Sequence, residues 1–210
     1  KKAKLYTVAL FPTKTGDISL PSYTINSKVY VEQKKSKRRD PFFDVFDSFS
    51  SKQAIRKVIK SEIKTITVMP YPDGKPADFT GAVGDYIVKT SVDVQKVKAN
   101  EAVTFYIEVK GTGNLSLFSL PELAFPKSLE VFPPVSEMNK DSFRDKITGT
   151  LRWEYVVIPR QTGKFNLPRV ELPFFDPKMT KWKRAKAPSI QISVSPGSVP
   201  MGSPEGLRKQ

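Results

Sequence analysis

The feature that most restricts this chain is a ten-residue pattern that occurs twice. At an offset of 147, Pro12-Thr13-Lys14-Thr15-Gly16-Asp17-Ile18-Ser19-Leu20-Pro21 aligns with Pro159-Arg160-Gln161-Thr162-Gly163-Lys164-Phe165-Asn166-Leu167-Pro168, sharing P-x-x-T-G-x-x-x-L-P. Each copy follows an apolar run, Leu5–Phe11 in one case and Trp153–Ile158 in the other. Each also precedes further apolar positions, Tyr23 and Ile25 or Val170 and Leu172. Apolar run, glycine-containing break and second apolar run predict strand, turn, strand. The glycine is expected at a positive φ, which it adopts without a Cβ penalty, and the prolines at strand ends, where no ladder N–H is needed.

The two copies also close alike. Thr65-Ile66-Thr67-Val68-Met69-Pro70 resembles Gln191-Ile192-Ser193-Val194-Ser195-Pro196, each an alternating strand stopped by proline. Between these endings lie further strand-like stretches, Tyr86–Val92, Ala102–Val109, Ser128–Phe132, Ile147–Val157, Val170–Phe174 and Ile190–Val194. About seven short strands in about 115 residues match an immunoglobulin-like sandwich. The fold class expected is therefore all-β, with tandem immunoglobulin-like β-sandwich domains, the first truncated at its N-terminus. Position 1 falls on position 148 of a second unit that opens at Phe79, so about seventy residues of the pattern have no counterpart. The chain is expected to start inside a domain, and the strands so left unpaired to favour self-association. The expected division is 1–70 for the C-terminal part of the first sandwich, 71–78 for a linker, 79–196 for a complete second sandwich and 197–210 for a tail.

From the Leu-Pro of the pattern to the closing proline there are 49 positions in the first unit (Pro21 to Pro70) and 28 in the second (Pro168 to Pro196), so the first carries 21 more. They are expected at about 33–56, and long connections inside compact domains are usually functional or disordered. Lys34, Lys35, Lys37, Arg38 and Arg39 form a basic run there. It reads first as a solvated loop and second as a phosphate-binding patch acting through counterion release. Asp40-Pro41-Phe42-Phe43-Asp44-Val45-Phe46-Asp47-Ser48-Phe49 follows, and one or two helical turns would align Phe42, Phe46 and Phe49, with Phe43 beside them. These rings either pack on their own domain or anchor in a partner's groove.

Composition removes whole classes of chemistry. The chain has no Cys and no His, which excludes thiol nucleophiles, disulfides, imidazole bases and the usual zinc ligands together. No catalytic residue, metal ligand or cofactor site is assigned, and an enzyme is not expected. The formal net charge of +14 implies attraction to anionic surfaces. There is no signal-peptide core and no apolar run near eighteen residues, so any targeting or anchoring segment is expected outside this piece.

Phe79-Thr80-Gly81-Ala82-Val83-Gly84 and Gly111-Thr112-Gly113-Asn114 are expected as turns or bulges, because neither leads from a strand into a helix as a phosphate loop must. Asn114-Leu115-Ser116 has the form of a glycosylation sequon and is assigned no role. Asp73, Asp78, Asp141 and Asp145 read as surface charge. Trp153, Tyr155 and Phe165 are expected in the second core. Trp182, inside Lys181-Trp182-Lys183-Arg184, is the candidate exposed ring that would stack on a sugar or anchor a protein. Phe174-Phe175-Asp176-Pro177 is expected to be the compact counterpart of Asp40-Pro41-Phe42-Phe43-Asp44.

The ordered series of the repeated pattern, Asp40-Pro41-Phe42-Phe43-Asp44, Met69-Pro70-Tyr71-Pro72-Asp73-Gly74-Lys75-Pro76, Phe79-Thr80-Gly81-Ala82-Val83-Gly84 and Gly111-Thr112-Gly113-Asn114-Leu115 resembles the BatD family of Bacteroides aerotolerance proteins over residues 5 to 195. The resemblance implies a membrane-anchored bacterial envelope protein with immunoglobulin-like repeats facing the periplasm. It also implies association with oxygen tolerance and stress resistance. Partners so implied are von Willebrand A-domain membrane proteins of the same operon, with a MoxR-type ATPase in the pathway. No catalytic residues carry over. The expected role is protein interaction or scaffolding. The alternatives are a carbohydrate-binding module using Trp182 or Tyr71, and anionic-surface binding through the basic run, membrane before nucleic acid.

Overall fold

The computed structural model describes residues 7–31, 53–141 and 146–197. Among these residues there are strands and no helix, and the chain divides into two compact units, one of them Pro12–Pro70. That unit holds β1 (Gly16–Leu20), β2 (Thr24–Val31), β3 (Gln53–Lys60) and β4 (Lys64–Val68). β1 pairs antiparallel with β4, and β2 with β3. Strand alternation puts Ile18 opposite Ile66 on one ladder, and Ile25 opposite Ile59 and Val29 opposite Ile55 on the other. One face of each ladder thus carries aliphatic pairs, interrupted on the second by Ser27 opposite Lys57. The ladders meet where Ser61 N–H donates to the Tyr23 carbonyl and Tyr23 N–H to Ser61 Oγ, both at 2.8 Å.

The second unit holds β5 (Gly84–Val92), β6 (Lys96–Lys98), β7 (Val103–Gly113), β8 (Leu129–Val131), β9 (Val135–Lys140), β10 (Thr148–Pro159), β11 (Gly163–Leu167), β12 (Val170–Asp176), β13 (Lys181–Ala187) and β14 (Ile190–Ser195). One sheet runs β5-β7-β10-β8, with β9 also on β10; the other runs β11-β14-β6, and β12-β13 is a hairpin. The chain crosses to the other sheet at β6, returns at β7 and crosses again between β10 and β11, the crossing connectivity of immunoglobulin-like sandwiches. Cross-strand pairs Val109–Leu151, Ile107–Trp153, Phe105–Tyr155 and Val103–Val157 line the inner face of the larger sheet. They share one core with Val97, Leu167, Leu172, Ile192 and Val194 from the opposing strands. Phe105, Ile107, Leu167, Leu172 and Ile192 are fully buried, and each such side chain contributes ~2 kcal/mol by leaving water. Trp153 is buried, and Tyr155 and Phe165 pack half-buried against the cluster, as the sequence predicts.

The repeat is reproduced to the residue in both ladders. An offset of 147 carries β1 onto β11, and an offset of 126 carries β4 onto β14, so Gly16 opposite Val68 matches Gly163 opposite Val194. The same offsets carry Thr24 opposite Lys60 onto Glu171 opposite Lys186, and Val29 opposite Ile55 onto Asp176 opposite Lys181. The difference of 21 between the offsets falls wholly between β2 and β3. Gly16 and Gly163 both take a positive φ, 101° and 138°, as their place in the turn requires.

Four expectations are corrected. The described part of Leu5–Phe11, residues 7–11, forms no strand, because a strand in the place of β10 needs neighbours such as β7 and β8 to complete its hydrogen bonds. The extra residues do not extend to 56, since Gln53–Arg56 pair with β2 as part of β3. By register, Phe174, Phe175 and Asp176 match Ser27, Lys28 and Val29 rather than the segment around Phe42. Gly111-Thr112-Gly113 is the end of β7 and not a turn. A Cβ at Gly111 would meet the Asp85 carbonyl and the Tyr86 ring, so glycine is what lets Tyr86 lie across that strand. Six strands were not foreseen: β1 and β11 lie inside the pattern read as the break between apolar runs, β3 overlaps the expected addition, and the sequences of β6, β9 and β13 carry little apolar alternation.

Candidate functional site

Of the ten candidate residues, Lys34, Lys35, Lys37, Arg38, Arg39, Phe42, Phe43, Phe46 and Phe49 lie outside the described residues. Trp182 lies in β13 and can be placed in full.

Its position follows from the hairpin. Pro177-Lys178-Met179-Thr180 turns β12 into β13, with Thr180 at a positive φ of 52°. Asp176 holds this turn: its Oδ1 accepts from the N–H of Lys178 at 2.9 Å and of Met179 at 3.2 Å, and its Oδ2 accepts from Lys183 Nζ at 2.7 Å. The lysine hydrogen bond outweighs desolvation and keeps this buried carboxyl below the usual carboxylate range, while the same bond raises Lys183. With register so fixed, Phe175 lies opposite Trp182 and Pro173 opposite Arg184, on the hairpin face away from the core.

Residues 71–79 cover that face. Trp182 lies 5.2 Å from Phe175, 5.4 Å from Tyr71 and 4.9 Å from Phe79 between ring centroids, and Tyr71 is 5.3 Å from Phe175. Trp182 Nε1–H donates to the carbonyl oxygens of Pro72 at 3.3 Å and Asp73 at 3.2 Å. Arg184 makes a two-pronged pair with Asp78 at 2.6 and 2.7 Å, and its hydrogen bond lowers the Asp78 carboxyl. Lys75 Nζ sits 5.6 Å from the Phe79 centroid. The expected linker, 71–78, is therefore fastened to the second unit. Trp182 is half-buried rather than free, and Tyr71 is the exposed ring of the four.

Sequence reasoning missed this cluster and a second polar one. Asn114 is buried; its Oδ1 accepts from Val83 N–H at 2.7 Å and from Tyr86 Oη at 3.1 Å, and its Nδ2 donates to the Gly81 carbonyl at 2.8 Å. The asparagine of the formal sequon thus ties Phe79–Gly84 to the end of β7. Burial raises the Tyr86 hydroxyl well above its ordinary value, so it remains a donor. Among the described residues no three carboxylates stand close enough to hold a metal ion, and no helix is long and apolar enough to cross a membrane.

These arrangements define an all-β protein of repeated immunoglobulin-like units. The family model described as the BatD DUF11-like domain matches residues 90–194, half of the chain, from within β5 to the end of the β14 core positions. The chain belongs to the BatD family. No curated protein matches it. Among solved structures it is similar to the full-length major pilin SpaD from Corynebacterium diphtheriae, at 11% identity and a TM-score of 0.37, covering 85% of this chain and 59% of the pilin.

Proposed function

We propose that this chain is a non-catalytic interaction region of an envelope-anchored oxygen-tolerance protein, acting on the periplasmic side of the membrane through protein contacts. Membership of the BatD family supports the setting. One observation carries the choice of surface: β2 and β3 keep the register of β12 and β13 although 21 residues are added between them. A ladder that accepts such an addition without slipping does not depend on it for its own pairing, which leaves the addition to selection for another purpose. That addition holds the basic run Lys34–Arg39 and the phenylalanines 42, 43, 46 and 49.

The partners this reading names are the von Willebrand A-domain membrane proteins of the same operon, with the MoxR-type ATPase acting in the pathway and no cofactor involved. Immobilised chain should capture those A-domain proteins, and changing Phe42, Phe43, Phe46 and Phe49 together to Ala should abolish capture while the β-sheet circular dichroism is retained. Capture unchanged by the four substitutions contradicts the reading.

A further inference from the structure

The outer face of the β11-β14-β6 sheet carries a row of polar side chains across all three strands. Lys164 of β11 lies opposite Ser193 of β14, and Ser193 lies opposite Lys96 of β6, with Ser195 opposite Lys98 two residues on. Alternation turns these side chains away from the core, which takes Phe165, Ile192 and Val194 from the same strands. The N–H of Ser193 donates to the Gln95 carbonyl at 2.8 Å, so its backbone bonds toward β6. Its pairing with Lys164 is therefore of the non-hydrogen-bonded kind, in which facing side chains stand closest. Strands ~4.8 Å apart set the two lysines about 10 Å apart at their Cα atoms, with the serine hydroxyl midway. A shallow depression of about 370 Å³ opens over this row, lined by Lys96, Gly163, Lys164, Ser193, Val194 and Ser195. Among the described residues no carboxylate forms an ion pair with Lys96, Lys98 or Lys164. Glu101 caps the end of β6 by accepting from the Lys98 N–H at 3.1 Å. The Ser195 hydroxyl is engaged with the Val97 carbonyl at 3.4 Å, whereas the Ser193 hydroxyl has no partner among the described residues.

The earlier copy of the scaffold shows what the ladder itself requires at this place. There Asp17 and Thr67 take the positions of Lys164 and Ser193, and Thr67 Oγ1 donates to Asp17 Oδ1 at 2.6 Å. One cross-strand position is thus a closed acid–hydroxyl pair in one copy and an open cation–hydroxyl pair in the other. The register is the same with either, so strand pairing does not account for the lysine-serine-lysine row. We propose that this row binds a phosphate group. The ammonium groups of Lys96 and Lys164 close on it from two sides, and the Ser193 hydroxyl donates from the floor between them. Lysine meets phosphate as a flexible point charge, and bonds from a cation to phosphate oxygen are among the stronger hydrogen bonds. A phosphate offers enough acceptor oxygens to engage all three donors at once. Its bearer is a soluble phosphate ester or the headgroup of an anionic phospholipid, and the two share this chemistry. The site stands on β6, β11 and β14, apart from the added residues between β2 and β3 and independent of the protein contact proposed for them.

Amide NMR spectra of the isotope-labelled 210-residue chain, titrated with inorganic phosphate and with glycerol phosphate at constant ionic strength, read the site directly. The expected result is a saturable shift centred on Lys96, Gly163, Lys164 and Ser193. Lys96→Gln combined with Lys164→Gln should weaken binding about tenfold, and Ser193→Ala about threefold. Lys178→Gln combined with Lys181→Gln makes the same charge change at the β12–β13 turn and should leave binding unchanged. The spectrum of each variant also reports whether it is folded. Sedimentation with phosphatidylglycerol vesicles then separates the two bearers. Vesicle binding that falls with the Lys96 and Lys164 substitutions assigns a lipid headgroup, and vesicle binding untouched by them assigns a soluble phosphate ester. No saturable shift in the row, or equal weakening by the two double variants, overturns the proposal.

Discussion

Trp182 lies directly opposite Phe175 across the β12–β13 ladder, with ring centroids 5.2 Å apart. Tyr71 and Phe79 close over this pair, and the indole N–H holds the carbonyls of Pro72 and Asp73, so the ring joins the incoming segment to the hairpin. Trp182→Ala is expected to cost about 2 kcal/mol, from lost burial and lost ring contacts, as read by urea unfolding. A ring serving chiefly as a sugar platform would leave stability unchanged when removed and would abolish glycan binding instead.

The Asp78–Arg184 pair fastens the same segment farther along, yet both side chains are well exposed to solvent. Asp78→Asn should therefore lower stability by only about 0.5 kcal/mol. Measured at 1 M salt, most of that difference should vanish, because screening acts on an exposed pair.

Acid should loosen the hairpin in a defined window. The carboxyls of Asp78 and Asp176 are both lowered in the folded chain, by hydrogen bonds from Arg184 and Lys183 respectively. A lowered folded value means that the stability contributed is present above the unfolded value, near pH 4, and is lost as the pH falls through the folded one. Unfolding midpoints should hold from pH 7 to about pH 4 and drop below it. Asp176→Asn should be less stable at pH 7 and show a shallower acid loss, since it removes the turn's acceptor for Lys183.

Two glycine substitutions should differ in size for different reasons. Gly163→Ala places its methyl in ordinary contact with the Phe165 ring, 3.8 Å away, so its cost is backbone strain at φ 138°, about 1–2 kcal/mol. Gly111→Ala drives a methyl group into the Asp85 carbonyl and the Tyr86 ring, which moves β5 off β7 and should cost about 3 kcal/mol. Thermal melts of the two variants side by side give the order.

Pattern and register were legible in the sequence because both are local or repeated. The P-x-x-T-G turn and the length difference between Pro21–Pro70 and Pro168–Pro196 pointed to one scaffold and a 21-residue addition, and the paired strands keep that count. The aromatic clamp was not legible, because Asp78 and Arg184 are 106 positions apart and Trp182 and Pro72 are 110, distances at which one sequence carries no pairing signal. Trp182 looked exposed because cations flank it in sequence, but alternation turns Lys181 and Lys183 to the other face from the ring. Gly111 and Gly113 looked like a turn because glycine is ambiguous between a turn and a close cross-strand approach.

The shared four-strand scaffold is expected to fold without the added residues, and those residues to make the partner contact. This expectation is tested most directly by replacing Val29–Ile55 with the six residues Asp176–Lys181, which close the matching ladder in the other unit and remove the difference of 21. The shortened chain should keep its β-sheet spectrum and melting temperature and lose capture of the neighbouring A-domain proteins. A shortened chain that still captures them, or one that no longer folds, contradicts this expectation.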